Sequence, residues 1–122
     1  MSRHSIARIA IPARNREALA RFYHDLFGWK IEPVPGPPPT LIFDAGEVGG
    51  HFPPVDGPLF SHGDLTVFVE SEDLDADLKH AQSLGATVIK GKADVPGVGQ
   101  IAILVDPLGS RIGLWARPKR QG

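Results

Sequence analysis

The spacing of apolar residues predicts two amphipathic helices. The first follows Asn15, whose side chain is well suited to cap a helix N-terminus, and ends at Gly28, a typical left-handed C-cap. The second begins around 71–73, where acidic residues favour the first helical turn, and ends at Gly85. The apolar stripes that define them recur at helical spacing and consist of Leu19, Phe22, Tyr23 and Leu26, then Leu74, Leu78, Ala81 and Leu84.

Shorter segments rich in β-branched and aliphatic residues predict strands before and after each helix. The strands that precede the helices are Ile6–Ile11 and Leu65–Glu70. Those that follow them are Lys30–Glu32, Thr40–Ala45, Gly50–Phe52, Thr87–Ile89, Gln100–Val105 and Arg111–Trp115. Asp106-Pro107-Leu108-Gly109 carries the residues of a tight turn, so the last two strands are expected to form a hairpin.

The order strand–helix–strand–strand–strand therefore occurs twice, which predicts an internal duplication. We expect an α+β fold in which two βαβββ modules, about 1–58 and 59–122, form curved mixed sheets around a cavity. The junction falls in the Gly- and Pro-rich stretch Pro53–Gly63. Neither module buries enough surface to be stable alone, so residues 1–122 are predicted to be one domain with a shared sheet system.

Side chains alternate between the two faces of a strand, so each predicted strand has two rows. The aliphatic row, expected beneath the helices, comprises Ala7, Ile9, Ile11, Leu65, Val67, Val69, Ile101, Ile103, Val105, Ile112 and Leu114. The mixed row comprises Ile6, Arg8, Ala10, Thr66, Phe68, Glu70, Gln100, Ala102, Leu104, Arg111, Gly113 and Trp115. A concave, semi-polar pocket accounts for this mixture. A dimer interface or an ordinary amphipathic sheet face is the alternative.

Composition narrows the classes of function. Thirteen basic and fourteen acidic residues leave a net charge of −1, which argues against nucleic-acid binding. The absence of cysteine excludes disulfides, thiolate metal sites and a cysteine nucleophile. No apolar run approaches the ~20 residues of a membrane span, and no signal peptide is visible, so we expect a cytoplasmic protein that does not bind membranes.

Several short motifs, in this order, resemble the glyoxalase/bleomycin-resistance/dioxygenase group, the vicinal oxygen chelate superfamily. They are Ile11-Pro12-Ala13, Phe22-Tyr23, Phe27-Gly28-Trp29, Gly85, 95–99, Asp106-Pro107-Leu108-Gly109 and Gly113-Leu114-Trp115. The resemblance extends from about Ile6 to Trp115. It implies paired βαβββ modules, a small-molecule ligand and a homodimer.

The resemblance also implies a divalent metal held by His and Glu side chains, and here the sequence departs from it. Arg8 stands at the first-strand position that carries His in metal-binding members, and Gly113 stands at the last-strand position that carries Glu. Near the fourth strand, Glu47 and His51 are the remaining candidate ligands. Since a catalytic zinc needs about three protein ligands, we predict no metal site and no cofactor. A divalent metal remains the alternative.

The predicted ligand-binding residues are Arg8, His51, Thr66, Phe68, Gln100 and Trp115. Arg8 is suited to clamp a planar anion, or it forms an ion pair with Glu70. His51 is the best candidate for a catalytic general base, or it is a surface histidine in a Gly-rich turn. Trp115 is placed to stack on a planar ligand, to plug the sheet or to anchor a subunit contact.

Three classes of function fit these residues. The leading interpretation is a metal-free homodimer that binds a small organic molecule, either to sequester it, as antibiotic-resistance members do, or to transform it. The second is a metal-dependent lyase of the glyoxalase type or a ring-cleaving dioxygenase, which would recruit His51 and Glu47. The third is an interaction domain whose sheet face is covered by a partner, for which occluding side chains would be the sign.

Overall fold

Among the residues that the structure describes, two helices and eight strands follow one another in the predicted order, which confirms the α+β fold class. The computed structural model describes residues 4–36, 39–55, 60 and 63–118, so the predicted junction Pro53–Gly63 lies partly outside the described residues. The helices are α1 (Arg16–Phe27) and α2 (Leu74–Ser83). The strands are β1 (Ile6–Ala10), β2 (Lys30–Val34), β3 (Thr40–Asp44), β4 (Gly49–His51), β5 (Thr66–Glu70), β6 (Thr87–Val95), β7 (Gly99–Val105) and β8 (Arg111–Ala116).

All eight strands form one curved, mixed sheet in the order β2-β3-β4-β1-β5-β8-β7-β6. The two halves of this order mirror each other and meet where β1 pairs antiparallel with β5. Within each half the first strand pairs in parallel with the last, β1 with β4 and β5 with β8. Strands β1 and β5 therefore lie at the centre of the sheet, flanked by β4 and β8.

Both helices cover the same side of the sheet, each over its own half. Asn15 caps α1 as predicted, because its side chain accepts a hydrogen bond from the backbone N–H of Ala18, and Gly28 ends the helix with φ of 75°. Asp73 caps α2 in the same way. Beneath α1 lie Phe43 and Phe52, and beneath α2 lie Ala102, Leu104 and Leu114. Of the described helices, neither has the length and apolar character to cross a bilayer.

The predicted parity of β7 is wrong. Trp115 pairs with Ile101, and Gly113 pairs with Ile103, so both isoleucines lie on the face opposite the helices. The predicted tight turn exists, since the N–H of Gly109 donates to the carbonyl of Asp106 at 3.0 Å. However, Gly109, with φ of 101°, adds one residue to the loop between β7 and β8. The pairing of the two strands is shifted by this residue, and Val105 pairs with Arg111. A slip of one residue exchanges the two faces of a strand.

Candidate functional site

Five of the six predicted ligand-binding residues lie together on the sheet face opposite the helices, which we call the helix-free face. Its centre is Ala10, which pairs with His51 on one side and with Thr66 on the other. Neighbouring strands are about 4.8 Å apart, so these three side chains stand in a row across the sheet. The remaining three, Arg8, Phe68 and Trp115, follow from the strand registers, in which Arg8 pairs with Phe68, and Trp115 pairs with Glu70.

Apolar side chains cover the helix-free face. Phe60 and Val98 pack with Ile101, Ile103, Phe68 and Trp115 into one buried cluster. The indole N–H of Trp115 donates to the carbonyl of Val98 at 2.6 Å, which fixes the ring against the β6–β7 turn. In the part of the chain that the structure describes, this face is therefore packed, and a ligand would reach it by displacing a side chain. Phe60 is one such side chain, and it lies edge-on to the His51 ring with 6.4 Å between the ring centroids.

Three buried polar atoms on this face have no hydrogen-bond partner among the described residues: Nε of Arg8, Nδ1 of His51 and Oγ1 of Thr66. The side chains of His51 and Thr66 are almost fully buried, since these residues are 3% and 1% exposed. Buried polar groups in folded proteins are nearly always hydrogen-bonded, and each one left unpaired costs about 1–3 kcal/mol. Their concentration around Ala10 therefore distinguishes this part of the face from ordinary core.

Arg8 is a half-buried cation without a carboxylate partner among the described residues. Its Nη2 donates to the carbonyl of Gly50 at 2.9 Å, and its guanidinium lies 5.3 Å from the centre of the Trp115 ring. The alternative ion pair with Glu70 does not form, because Glu70 accepts a 2.6 Å hydrogen bond from Arg117 instead. Burial lowers the pKa of Arg8 below its usual value, which records the cost of holding this charge away from water.

His51 is a neutral, buried imidazole and not a surface histidine. Burial, and then the charge of Arg8, lower the pKa of His51 to about 3. An imidazole with this pKa does not take up a proton near neutral pH, but it still offers one hydrogen-bond donor and one acceptor. The geometry therefore suits His51 to hydrogen bonding with a ligand, and its role as a general base stays a prediction.

Three glycines shape the site because neighbouring side chains occupy the space where their Cβ atoms would be. A Cβ on Gly49 would lie 3.3 Å from the Arg8 guanidinium, and one on Gly50 would lie 2.2 Å from the Phe43 ring. A Cβ on Gly113 would lie 2.4 Å from the ring of Phe68. Strand β4, Gly49–His51, is thus held between two packed side chains.

These residues do not fit a divalent metal. Among the described residues, no three His, Asp or Glu side chains come close enough together to hold an ion. Of the described residues, only His51 supplies an imidazole on the helix-free face, and it is adjacent to the Arg8 cation, which opposes a second positive charge. At Gly113, the last-strand position at which the resemblance implies a Glu ligand, the Phe68 ring fills the space.

Gln100, the sixth predicted residue, does not belong to this face. It pairs with Ala116, on the side of the sheet that α2 covers, and it donates to Asp94 at 3.1 Å. There it lines a groove of about 1130 Å³ beside the N-terminus of α2. Charged side chains of this groove pair with each other, as Lys92 does with Asp75 at 2.9 Å. Among the described residues that line this groove, no buried polar side-chain atom is without a hydrogen-bond partner, in contrast to the helix-free face.

One further candidate from the sequence, Glu47, lies outside the site, and two important residues were missed. Glu47 is exposed, as its alternative interpretation held. Phe60 and Val98 were missed because both lie outside the predicted strands, where alternation carries no information. The only signal for them was an aromatic and a β-branched residue in segments otherwise rich in Gly and Pro.

Comparison with known proteins identifies sequence relatives of this chain. A protein-family model for the glyoxalase-like domain matches residues 8–114. The anthracycline biosynthesis protein DnrV of Streptomyces peucetius is 30% identical, with 86% of this chain and 44% of the relative covered. The putative glyoxylase CFP32 of Mycobacterium tuberculosis is 21% identical, with 93% of this chain and 46% of the relative covered. The chain thus spans less than half the length of these curated relatives.

Solved structures with the same fold share little sequence with this chain. A hypothetical protein from Bacillus halodurans superimposes with a TM-score of 0.77 at 12% identity, covering 99% of both chains. A variant of methylmalonyl-CoA epimerase from Streptomyces coelicolor, in complex with 2-nitronate-propionyl-CoA, superimposes with a TM-score of 0.70 at 16% identity. That match covers 97% of this chain and 100% of the epimerase. Such low identities show a shared fold alone.

Proposed function

This chain belongs to the glyoxalase-like domain family of the vicinal oxygen chelate superfamily, and on this premise we propose that it binds a planar aromatic molecule on the helix-free face without a metal ion. The observation that carries the proposal is the set of three unpaired polar atoms within an otherwise aromatic and aliphatic surface. Binding sites for small molecules combine this apolar lining with a few polar groups that fix orientation.

The aromatic character of the ligand has two supports. Phe68 and Trp115 offer ring surfaces on which a planar molecule stacks. In addition, the relative DnrV is named as an anthracycline biosynthesis protein, which is consistent with a polycyclic aromatic ligand for this chain. The roles we assign are therefore stacking for Phe68 and Trp115, and hydrogen bonding for Arg8, His51 and Thr66.

Absence of a metal is part of the proposal, because the donor atoms on this face do not form a ligand set. Lyase or dioxygenase chemistry that depends on a bound metal would need further ligands from outside the described residues. The interaction-domain alternative gains support from the occluded face, but a face built only to pack against protein gains nothing from three unpaired polar atoms.

Calorimetric titration with 1,4-naphthoquinone and 1,4-dihydroxyanthraquinone in the presence of EDTA tests the proposal. We expect one molecule bound per chain, and we expect Phe68→Leu to weaken binding about three- to tenfold because a stacking ring is lost. Leu108→Ala is the matched control, since Leu108 is 96% exposed in the β7–β8 loop and should leave affinity unchanged. Failure of both compounds to bind, or binding only after Ni, Zn, Mn or Fe is added, would contradict the proposal.

The homodimer is a separate proposal, supported by the family to which the chain belongs. Light scattering of the purified chain should give twice the monomer mass of 13.1 kDa. A monomer across the micromolar range would refute it without affecting the proposed ligand site.

A further inference from the structure

We propose that the ligand of the helix-free face carries a carboxylate or an equivalent planar oxyanion, which docks against Arg8, Thr66 and His51. This inference rests on the proposed function, because it names the chemical class of ligand for the same site. It requires a molecule that is apolar and planar over most of its length and anionic at one end.

The first argument is the unbalanced charge of Arg8. Arg8 and Arg117 both stack on Trp115, with guanidinium carbons 5.3 and 5.1 Å from the ring centre. Arg117 is paired with Glu70, whereas Arg8 has no acidic partner among the described residues. A cation that is partly withdrawn from water and left without a counter-ion is unfavourable, so an anion supplied by a ligand is the natural complement.

The second argument is the chemistry of the three unpaired atoms. Nε of Arg8 is a donor only, the hydroxyl of Thr66 can donate, and Nδ1 of His51 donates in the tautomer that carries its proton there. A planar oxyanion accepts several such bonds at once, and the arginine fork matches its geometry. A cationic ligand would instead be repelled by the charge of Arg8, which no carboxylate of the described residues neutralises.

The third argument is placement. Thr66 and His51 flank Ala10 across the sheet, and Arg8 follows on the same face of the same strand. Ala10 contributes only a methyl group to this buried face, so the three polar groups lie around a small side chain. The rings of Phe68 and Trp115 continue the surface next to Arg8, as a ligand with one polar end and one aromatic body requires.

The experiment compares 2-naphthoate with 2-naphthamide, which have nearly the same shape but differ in charge. In calorimetric titrations with EDTA present, we expect the wild-type chain to bind 2-naphthoate at least tenfold more tightly than 2-naphthamide. Arg8→Met should reduce the affinity for 2-naphthoate to that for 2-naphthamide. Arg8→Lys, which keeps the charge but not the fork, should give an intermediate preference. Arg117→Met is the matched control and should keep the full preference.

Each outcome decides between the two proposals. Equal affinity of the wild-type chain for both compounds would overturn the anionic ligand and leave the aromatic site standing. If neither compound binds, both proposals fail. If Arg8→Met does not fold, NMR of the wild-type chain decides, because the Nε–H signal of Arg8 must shift on addition of 2-naphthoate and stay in place with 2-naphthamide.

Discussion

Replacing Thr66 by valine tests whether its hydroxyl on the helix-free face lacks a hydrogen-bond partner in the folded chain. Thr66 is 1% exposed, and its Oγ1 has no partner among the described residues, so the folded chain bears the cost of dehydrating a hydroxyl group. That cost is about 1–3 kcal/mol, and valine replaces the hydroxyl by a methyl group of similar size. We therefore expect Thr66→Val to raise the free energy of unfolding by about 1–2 kcal/mol, or roughly 4–8 °C in melting temperature.

Urea unfolding followed by far-ultraviolet circular dichroism measures this change, with Thr87→Val as the matched control. Thr87 is exposed at the start of β6, where water satisfies its hydroxyl, so its substitution should change stability by less than about 0.5 kcal/mol. The same Thr66→Val chain should bind 2-naphthoate more weakly than the wild type, so that stability rises while affinity falls.

A loss of stability on Thr66→Val would refute the reasoning. It would mean that the hydroxyl already has a hydrogen-bond partner in the folded chain and that the helix-free face is ordinary satisfied core. A gain in stability with unchanged affinity would locate the ligand elsewhere on the molecule, because the unpaired group would then have no part in binding.

Three further predictions concern neighbouring residues. The pKa of His51 is lowered to about 3 in the folded chain, against 6.5 as its ordinary value, so the unfolded chain binds a proton first as pH falls. The contribution of neutral His51 to the free energy of unfolding is thus fully present above about pH 6.5. It is lost as the pH falls toward 3, by up to ~1.4 kcal/mol per pH unit. His51→Asn should flatten the pH dependence of the free energy of urea unfolding between pH 6.5 and pH 3. An NMR titration in which the ring signals of His51 itself shift with a midpoint near pH 6.5 would contradict this. Gly113→Ala should lower the free energy of unfolding by about 1–3 kcal/mol in urea, because the new Cβ would lie 2.4 Å from the Phe68 ring. An unchanged urea midpoint would show that this ring moves freely. Phe60→Ala should lower the free energy of unfolding by about 3–5 kcal/mol. The variant should nevertheless bind 1,4-naphthoquinone more tightly in calorimetric titration, because the ring next to His51 is gone. Weaker binding would mean that Phe60 is part of the site.

The local elements could be predicted from sequence because their determinants are local. Asn15 and Gly28 fix the ends of α1 through contacts within one helical turn. Alternation along β1, β5 and β8 placed Arg8, Thr66 and Trp115 on one face, because the period of two holds across these positions, beyond the register shift between Ile6 and Arg8 in β1. The same reasoning failed for β7, where one residue in the left-handed conformation at Gly109 exchanges the faces and removes Gln100 from the site.

The sequence by itself determined the two repeated modules, the helix-free face and most of its residues, because hydrophobic periodicity and capping act over a few neighbouring positions. Only the tertiary structure decided what those residues contact. Phe60 comes to lie against His51, and Glu70 pairs with Arg117 in place of Arg8, through strands and loops distant in the chain. The unpaired state of a buried polar atom depends on every neighbour that folding brings near it, and no local pattern encodes that set.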